Sequence, residues 1–191
     1  MGRRVEERFD HGTYTAEFVR EMEPLAEDRK TIIIPDTAPE KLLDASAASL
    51  AIFLSRIMAA FSERWGEEAW KVAENSLRGM GEARAARMAQ RLKVDPNDAR
   101  SIGRLFDFED NGMGIKGEWV ETGKRRAVKH ELYCPLARFL QGQPEICMRL
   151  LGGPIQQATF ETLGIRLKPA AMTKLLPLGD PYCEVIVELA D

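Results

Sequence analysis

Histidine and cysteine are scarce in this sequence, which contains two histidines and three cysteines among 191 residues. The cysteine number is odd and no CxxC pair occurs, which predicts free thiols in a reducing, cytoplasmic environment rather than a disulfide framework. The chain also lacks P-loop, GxGxxG, GxSxG and HExxH patterns. These absences remove the common signatures of nucleotide binding, serine hydrolysis and metalloproteolysis.

Neither a dominant charge nor a long hydrophobic run is present. The net charge is −3, with acidic and basic residues interspersed, which predicts no nucleic-acid and no membrane partner. The longest apolar run, "ASLAIFLSRIMAAF", is interrupted by Arg56 and is too short to span a bilayer. The start of the sequence shows no apolar signal segment. We therefore expect a small-molecule ligand or substrate as the partner, with a homo-oligomer as an open alternative.

Helical periodicity dominates the first half of the chain, and shorter elements follow. Long helices are predicted in "TAPEKLLDASAASLAIFLSRIMAAFSERW", in "GEEAWKVAENSLRGMGEARAARMAQRL" and after Asp95, the expected N-cap before Pro96. A hairpin turning near Gly123 and strands in "IRLKP", "MTKLLPLGD" and "PYCEVIVELA" come later. This order predicts an α+β fold, with N-terminal long helices packed on a C-terminal antiparallel sheet of about four or five strands. We divide the chain into an N-terminal helical extension, 1–39, and an α+β domain, 40–191.

The stretch "HELYCPLARFL" contains one histidine and one cysteine at the expected end of a strand. Pro135 is favoured at the first position of a helix, so Cys134 is predicted to be the N-cap of "PLARFLQ". Unpaired backbone N–H groups and the helix dipole at that position predict a lowered pKa for the Cys134 thiol, as in a nucleophile. The alternative is a buried structural thiol that caps the helix, because free cysteine is among the most buried residue types.

Strand alternation places His130 and Cys134 on one inward face, with Lys129 and Glu131 on the other. Four residues of strand span about 13 Å, so His130 and Cys134 cannot pair directly unless the backbone bends. The last strand directs Cys183 inward as well. No metal is predicted, because no two candidate ligands have the short spacing of structural zinc motifs. If zinc is bound, its ligands are expected to be His130, Cys134 and Cys183.

Two segments of the second half resemble the L-2-amino-thiazoline-4-carboxylic acid hydrolase family: "GEWVETGKRRAVKHELYCPLARFL" and "LLPLGDPYCEVIVEL". The matching positions are Cys134, Pro135, Leu136, Ala137, Gly179, Asp180 and Cys183. The resemblance implies hydrolytic opening of a small cyclic amidine or thiazoline ring without a cofactor. It implies Cys134 as nucleophile or polarising thiolate, with His130, Asp180 and Cys183 as catalytic neighbours. Arg126, in the "KRR" cluster, is a candidate to bind a substrate carboxylate.

The domain is more distantly similar to V4R and TRAPP-type α+β domains. That similarity implies a different class of function, a non-catalytic module that binds a small ligand or a metal. The apolar residues that share a strand or helix face with the cysteines favour this binding module. The N-cap position predicted for Cys134 favours the enzyme.

Overall fold

The computed structural model describes residues 9–10, 13–14, 38–169 and 173–191. The chain divides into two units, Met1–Ala38 and Pro39–Asp191. In the first unit, the described residues form a short antiparallel pair, β1 (Phe9–Asp10) and β2 (Thr13–Tyr14). The helical character predicted for 1–39 otherwise lies outside the described residues.

Three long helices open the second unit, as predicted: α1 (Pro39–Trp65), α2 (Glu67–Leu92) and α3 (Ala99–Met113). Gly66 separates the first two with a φ of 58°, a left-handed conformation that glycine adopts without steric cost. The predicted cap of α3 is wrong, because Asp98 and not Asp95 accepts the first free N–H group, that of Arg100. The Asp95 carboxylate instead accepts the N–H of Asn97 in the preceding turn.

An antiparallel sheet in the order β3-β4-β5 follows, and its strands are β3 (Lys116–Thr122), β4 (Arg126–Tyr133) and β5 (Cys183–Glu188). The predicted α+β class is confirmed, with three strands in this sheet rather than four or five. The stretch "IRLKP" contributes only an isolated bridge between Leu167 and Leu189. The stretch "MTKLLPLGD" contains a 3-10 turn, Leu176–Leu178, instead of a strand. Pro177 in that turn has no N–H group for a sheet ladder.

Short helical elements connect β4 to β5: a 3-10 turn (Ala137–Phe139), α4 (Pro144–Ile146), a π-helical segment (Cys147–Gly152) and α5 (Gly153–Thr162). The helix predicted in "PLARFLQ" is therefore only a short turn. Helix α5 packs against α2 at Gly81, where an added Cβ would overlap the backbone oxygen of Ile155. The glycine thus permits the close approach of the two helices.

The sheet packs against α3 through one face only. Ala127 and Val187 are register partners on β4 and β5, and both are fully buried with Ile102 and Leu105 of α3. Because side chains alternate along a strand, the same face of β4 also carries Lys129 and Glu131. The predicted orientation of β4 is therefore inverted: His130 lies on the opposite face. The sequence-based assignment failed because alternation fixes which residues share a face but not which face a helix covers.

Helix α1 buries one side and exposes the other. Ala47, Ala51 and Met58 belong to an apolar cluster with α2 and the segment after β4. On other sides of the helix, large apolar residues such as Leu50 and Phe53 are exposed. Among the described residues, α1 is the one helix whose length and composition would suffice to cross a membrane. The complete helix is longer than the apolar run on which the prediction of no membrane partner was based.

Candidate functional site: a buried thiol cluster

Cys134 follows the last residue of β4 and begins the turn that leads into the 3-10 segment. The 3-10 turn has Leu136 at its N-cap position and no side-chain cap hydrogen bond, so the predicted N-cap role of Cys134 is wrong. Burial raises the pKa of the Cys134 thiol, and the nearby backbone N–H groups of Ala137 and Leu136 only partly offset that effect. The predicted lowering of the Cys134 pKa is therefore wrong. A 3-10 turn of three residues provides a much weaker dipole than the expected helix.

Cys183 is the first residue of β5 and is buried. Its sulfur accepts a hydrogen bond from the N–H of Leu176, with a nitrogen–sulfur distance of 3.3 Å. Burial raises the pKa of the Cys183 thiol to about 11. Glu131 is its register partner on β4, so the two side chains lie next to each other on the α3-facing side of the sheet.

Cys147 completes the group from the start of the π-helical segment. Burial raises the pKa of the Cys147 thiol to about 12, and the nearby thiols of Cys134 and Cys183 and the Glu131 carboxyl act in the same direction. All three cysteines of the chain therefore lie close enough to influence one another electrostatically. We call Cys134, Cys147, Cys183 and Glu131 the thiol cluster. All three thiols remain protonated at neutral pH.

Glu131 is the acidic member of the thiol cluster, and sequence reasoning missed it. Burial raises its pKa from the ordinary 4.5 to about 7, and the negative charge of Asp110 adds to the shift. Lys129 lies nearby with only 4% of its surface exposed, and its Nζ is 2.5 Å from carboxylate oxygens of both Asp107 and Asp110. Burial opposes the charge on Lys129, but the bonds to these two carboxylates outweigh it and raise the lysine pKa.

A sequence signal for this charged network did exist. Asp107 and Asp110 are three residues apart on α3 and therefore share a face of that helix. Lys129 and Glu131 are two residues apart on β4 and share a face of the strand. The acidic pair on the helix matches the lysine on the strand, which would have indicated that the two faces meet.

His130 lies away from the thiol cluster, on the other face of β4. Its ring stacks on Tyr182 with a centroid separation of 3.8 Å, and its Nε2 is 3.5 Å from an Oε1 of Glu184. The prediction that His130 and Cys134 share an inward face is thus wrong.

Asp180 and Arg126, the two other predicted site residues, occupy separate places. The Asp180 carboxylate accepts the N–H of Leu175 at 2.8 Å and thereby shapes the turn before β5, near Cys183. Arg126 pairs with Glu121 and Glu188 at the start of β4. Eight residues of strand separate Arg126 from Cys134, roughly 26 Å, so the two do not belong to one small site.

A shallow groove runs along α1, and no residue of the thiol cluster lines it. Its larger part has a volume of about 460 Å³, and its continuation about 250 Å³. Phe139 lines the larger part and also packs in the apolar cluster that contains Cys134 and Cys147. Met58, Trp70 and Ile146 line the continuation and pack in the same cluster. The groove therefore opens onto the apolar surroundings of two of the thiols.

The ligand set suggested for zinc is not assembled. Within residues 38–169 and 173–191, no three histidine, cysteine or acidic side chains are placed to hold a metal ion. For His130 the reason is its position on the opposite face of the sheet from Cys183.

Comparison with known proteins identifies the fold and no more. No protein-family profile and no curated protein matches the chain. Among solved structures, the chain is similar to a trafficking protein particle complex subunit 3 from Naegleria fowleri, which was crystallised covalently bound to palmitic acid. The TM-score is 0.51 and the identity 13%, over 77% of this chain and 96% of that one. The chain thus has a fold distantly similar to that of a TRAPP subunit.

Proposed function

We propose that the protein is a non-catalytic module that binds a small apolar ligand in the groove along α1. The observation that carries this proposal is the continuity of the groove with the apolar cluster around Cys134 and Cys147. Ligand sites are concave and combine apolar side chains with a few polar groups, and in the larger part of this groove Ile52, Ala59 and Phe139 alternate with Ser55, Arg56 and Gln143. The raised thiol pKa values agree with a binding role, because a protonated thiol behaves as a small apolar group.

A long-chain fatty acid is the ligand class that we propose. The similar TRAPP subunit carries palmitic acid, and the groove here offers an apolar path past Ile52, Ala59 and Phe139. Arg56 lines the same groove and can pair with a carboxylate at the end of the chain.

Titration of the full chain with palmitic acid, followed by calorimetry and by the fluorescence of Trp70 in the groove wall, tests the proposal. Ala59 lines both parts of the groove, so Ala59→Trp should fill it and abolish binding. Ala86→Trp is the matched control, because Ala86 is an exposed alanine of α2 that does not line the groove. Absence of binding to the unchanged chain, or equal binding by both variants, would refute the proposal.

A second candidate is the ring-opening hydrolase implied by the family resemblance. The observation that favours it is Glu131, whose pKa of about 7 suits a general base, beside Cys134. Water would add to the amidine-like ring carbon while Glu131 accepts one of its protons and passes it to the ring nitrogen. The ring C–S bond would then break as the added hydroxyl becomes a carbonyl, and the hydroxyl proton would go to the departing sulfur, giving a carbamoyl thiol.

Incubation with L-2-amino-thiazoline-4-carboxylate, with the release of thiol as the readout, tests this second candidate. Glu131→Gln should abolish turnover, whereas His130→Gln should retain it because His130 lies on the opposite face of the sheet. No thiol release by the unchanged chain would leave only the binding function.

A further inference from the structure

We propose that the ligand of the groove along α1 is a single-chain phospholipid whose head group contains a phosphate and a quaternary ammonium, as in a lysophosphatidylcholine. This inference rests on the proposed function, because it places an acyl chain in the same groove. The two parts of the groove carry opposite charges: Arg56 lines the larger part, and Glu145 lines the continuation. A head group with both charges is complementary to this pair.

The two parts of the groove form one surface, so a single ligand can reach both charges. Ser55, Ala59 and Gln143 line the larger part and the continuation alike. Arg56 lies three residues before Ala59 on α1 and is therefore its neighbour on the helix surface. Glu145 lies two residues after Gln143, in α4. The cation and the anion thus flank the shared residues, one in each part of the groove.

Neither charge is neutralised by another side chain within residues 38–169 and 173–191. On α1, no acidic residue lies within one helical turn of Arg56. Arg149 lies four residues after Glu145, the usual spacing of a helical ion pair, but it binds Glu67 and Glu74 of α2 instead. Both charges can therefore pair with a ligand.

The order of groups along the groove matches the order of groups in such a lipid. Ile52, Ala59 and Phe139 provide apolar contacts in the larger part, where Arg56 also lies. Glu145 follows only in the continuation. In a lysophosphatidylcholine the phosphate likewise stands between the acyl chain and the ammonium group. A fatty acid ends at its carboxylate and leaves Glu145 without a counter-charge.

The lining of the continuation favours an ammonium group that carries methyl groups. Three apolar side chains line it besides Glu145, namely those of Met58, Trp70 and Ile146. Aromatic rings attract quaternary ammonium groups through the electron-rich ring face, and a carboxylate adds the opposite charge. The Trp70 ring already attracts the guanidinium of Arg149, 4.7 Å from its centroid. Because two glutamates balance that guanidinium, a ligand cation meets no uncompensated positive charge at the ring.

Ser55 supplies a hydrogen-bond donor beside Arg56. It lines both parts of the groove, and its hydroxyl has no hydrogen-bond partner among the described residues. Rotation about the Cα–Cβ bond can direct this hydroxyl to the groove, where a phosphate oxygen accepts its hydrogen. The guanidinium of Arg56 can donate two parallel hydrogen bonds to the same phosphate. We therefore expect the phosphate at the level of Ser55.

Calorimetric titration of the full chain with 1-palmitoyl-lysophosphatidylcholine, at concentrations below micelle formation, tests the proposal. 1-Palmitoyl-lysophosphatidylglycerol is the matched ligand, because it has the same acyl chain and phosphate but no ammonium group. The choline lipid should bind about five- to tenfold more tightly, the combined effect of one ion pair and one cation–π contact at a partly exposed site. Phosphocholine without an acyl chain should bind much more weakly than the lipid, since it makes no apolar contacts.

Variants at the two charges assign their roles. Glu145→Gln should remove the preference for the choline lipid and leave palmitic acid binding unchanged, since palmitic acid has no cation. Glu82→Gln is the matched control, because Glu82 is an exposed residue of α2 that does not line the groove, and the preference should persist. Arg56→Gln should weaken the binding of both lipids and of palmitic acid. Circular dichroism verifies that the variants are folded.

Equal affinity for the two lipids, a preference that persists in Glu145→Gln, or unchanged lipid binding by Arg56→Gln would overturn the inference. So would equal affinity for phosphocholine and the choline lipid, which would assign the groove to a free head group. The proposed function is tested separately, by palmitic acid binding to the unchanged chain. A chain that binds the choline lipid with a preference that depends on Glu145, but does not bind palmitic acid, would retain the inference and refute the fatty-acid ligand. No binding of any of these ligands would overturn both.

Discussion

Glu131 on β4 lies directly opposite Cys183 on β5, on the side of the sheet that α3 covers. This position explains why the Glu131 carboxyl prefers its neutral form, since burial and the charge of Asp110 both disfavour ionisation. It also places a carboxyl of unusually high pKa within the group formed by the three thiols. The pair joins the charged network around Lys129 to the apolar thiol cluster.

Replacement of Glu131 by glutamine should stabilise the protein, and more so as the pH rises. The carboxyl ionises near 4.5 in the unfolded chain and near 7 in the folded one, so the folded state binds the proton more tightly. The contribution of Glu131 to the free energy of unfolding is therefore greatest below pH 4.5 and falls as the pH rises to about 7. Above pH 7 the protein is less stable than below pH 4.5 by about 3 kcal/mol from this carboxyl alone. Glu131→Gln mimics the neutral form and avoids that loss.

Urea unfolding at pH 4.5 and pH 8 measures this effect. The gain in free energy of unfolding from Glu131→Gln should be small at pH 4.5 and large at pH 8. Glu118→Gln is the control for the substitution itself, because Glu118 is an exposed residue of β3. A gain that does not depend on pH would contradict the position of Glu131 described here.

Removal of the Lys129 charge should strongly destabilise the fold. Lys129→Met leaves the buried Asp110 without its cation, and breaking a buried ion pair by loss of one partner costs about 3–5 kcal/mol. The double variant Lys129→Met with Asp110→Asn should be more stable than Lys129→Met alone, since the one carboxylate left without the lysine, Asp107, is half exposed to water. Lys168→Met, which removes an exposed partner of Glu188, should change the unfolding midpoint little. The urea midpoints of the unchanged chain and the three variants measure these effects. Equal losses of stability in Lys129→Met and Lys168→Met would exclude the buried network.

The long helices could be predicted from the sequence because apolar spacing and helix propensity are local properties. The apolar spacing is clearest in the 15 residues of α3 and weaker in the 27 of α1. The 26 residues of α2 hardly show it, but they consist mainly of strong helix formers such as alanine, glutamate and arginine. The two predicted strands in "IRLKP" and "MTKLLPLGD" failed because short apolar runs do not distinguish a strand from a turn. In the second run, Pro177 was the contrary signal.

Within the candidate site, the sequence correctly indicated Cys183 as a buried strand residue, but the helix that Cys134 was expected to cap is only a short turn without a side-chain cap. The sequence did not indicate Glu131, because the covered face of β4 depends on where α3 packs and not on β4 itself. The prediction placed Lys129 on the solvent side of β4 and His130 on the inner side, because a lysine is rarely buried unless it is paired with a carboxylate. The partners of Lys129 on α3 are about twenty residues away in sequence, so the signal appears only when the acidic pair on the helix and the lysine on the strand are considered together.

Two glycines of α2, only two residues apart, should respond in opposite ways to alanine. Gly79 has nothing within 4 Å of an added Cβ, so Gly79→Ala should stabilise the helix by about 1 kcal/mol. At Gly81 the same methyl group would overlap the Ile155 backbone oxygen, so Gly81→Ala should destabilise the protein by about 1–3 kcal/mol. Thermal and urea unfolding of both variants measure the difference. Stabilisation by both changes would show that α2 and α5 do not pack as closely as described.

The three thiols should all react slowly with an alkylating reagent at neutral pH, and Cys134 should be the fastest of them. Only the thiolate reacts, and burial raises the pKa of each thiol, to about 11 for Cys183 and about 12 for Cys147. At Cys134 two backbone N–H groups partly offset the burial. A time course with iodoacetamide, read by peptide mass spectrometry in native buffer and in urea, gives the three rates. In urea the three rates should become similar, which serves as the internal control.

Serine and alanine at position 134 distinguish packing from thiol chemistry. The turn after Cys134 has no side-chain cap hydrogen bond, and Cys134 packs against the apolar cluster of α1 and α2. Cys134→Ala, which keeps the site apolar, should therefore cost about 1 kcal/mol or less of unfolding free energy, and Cys134→Ser, which places a hydroxyl there, should cost at least as much.

Palmitic acid binding should survive in both variants if binding is non-covalent, whereas a thioester at Cys134 would be lost in both. Urea unfolding and calorimetry measure the two effects, and a Cys134→Ser variant clearly more stable than Cys134→Ala would instead show that position 134 caps the turn.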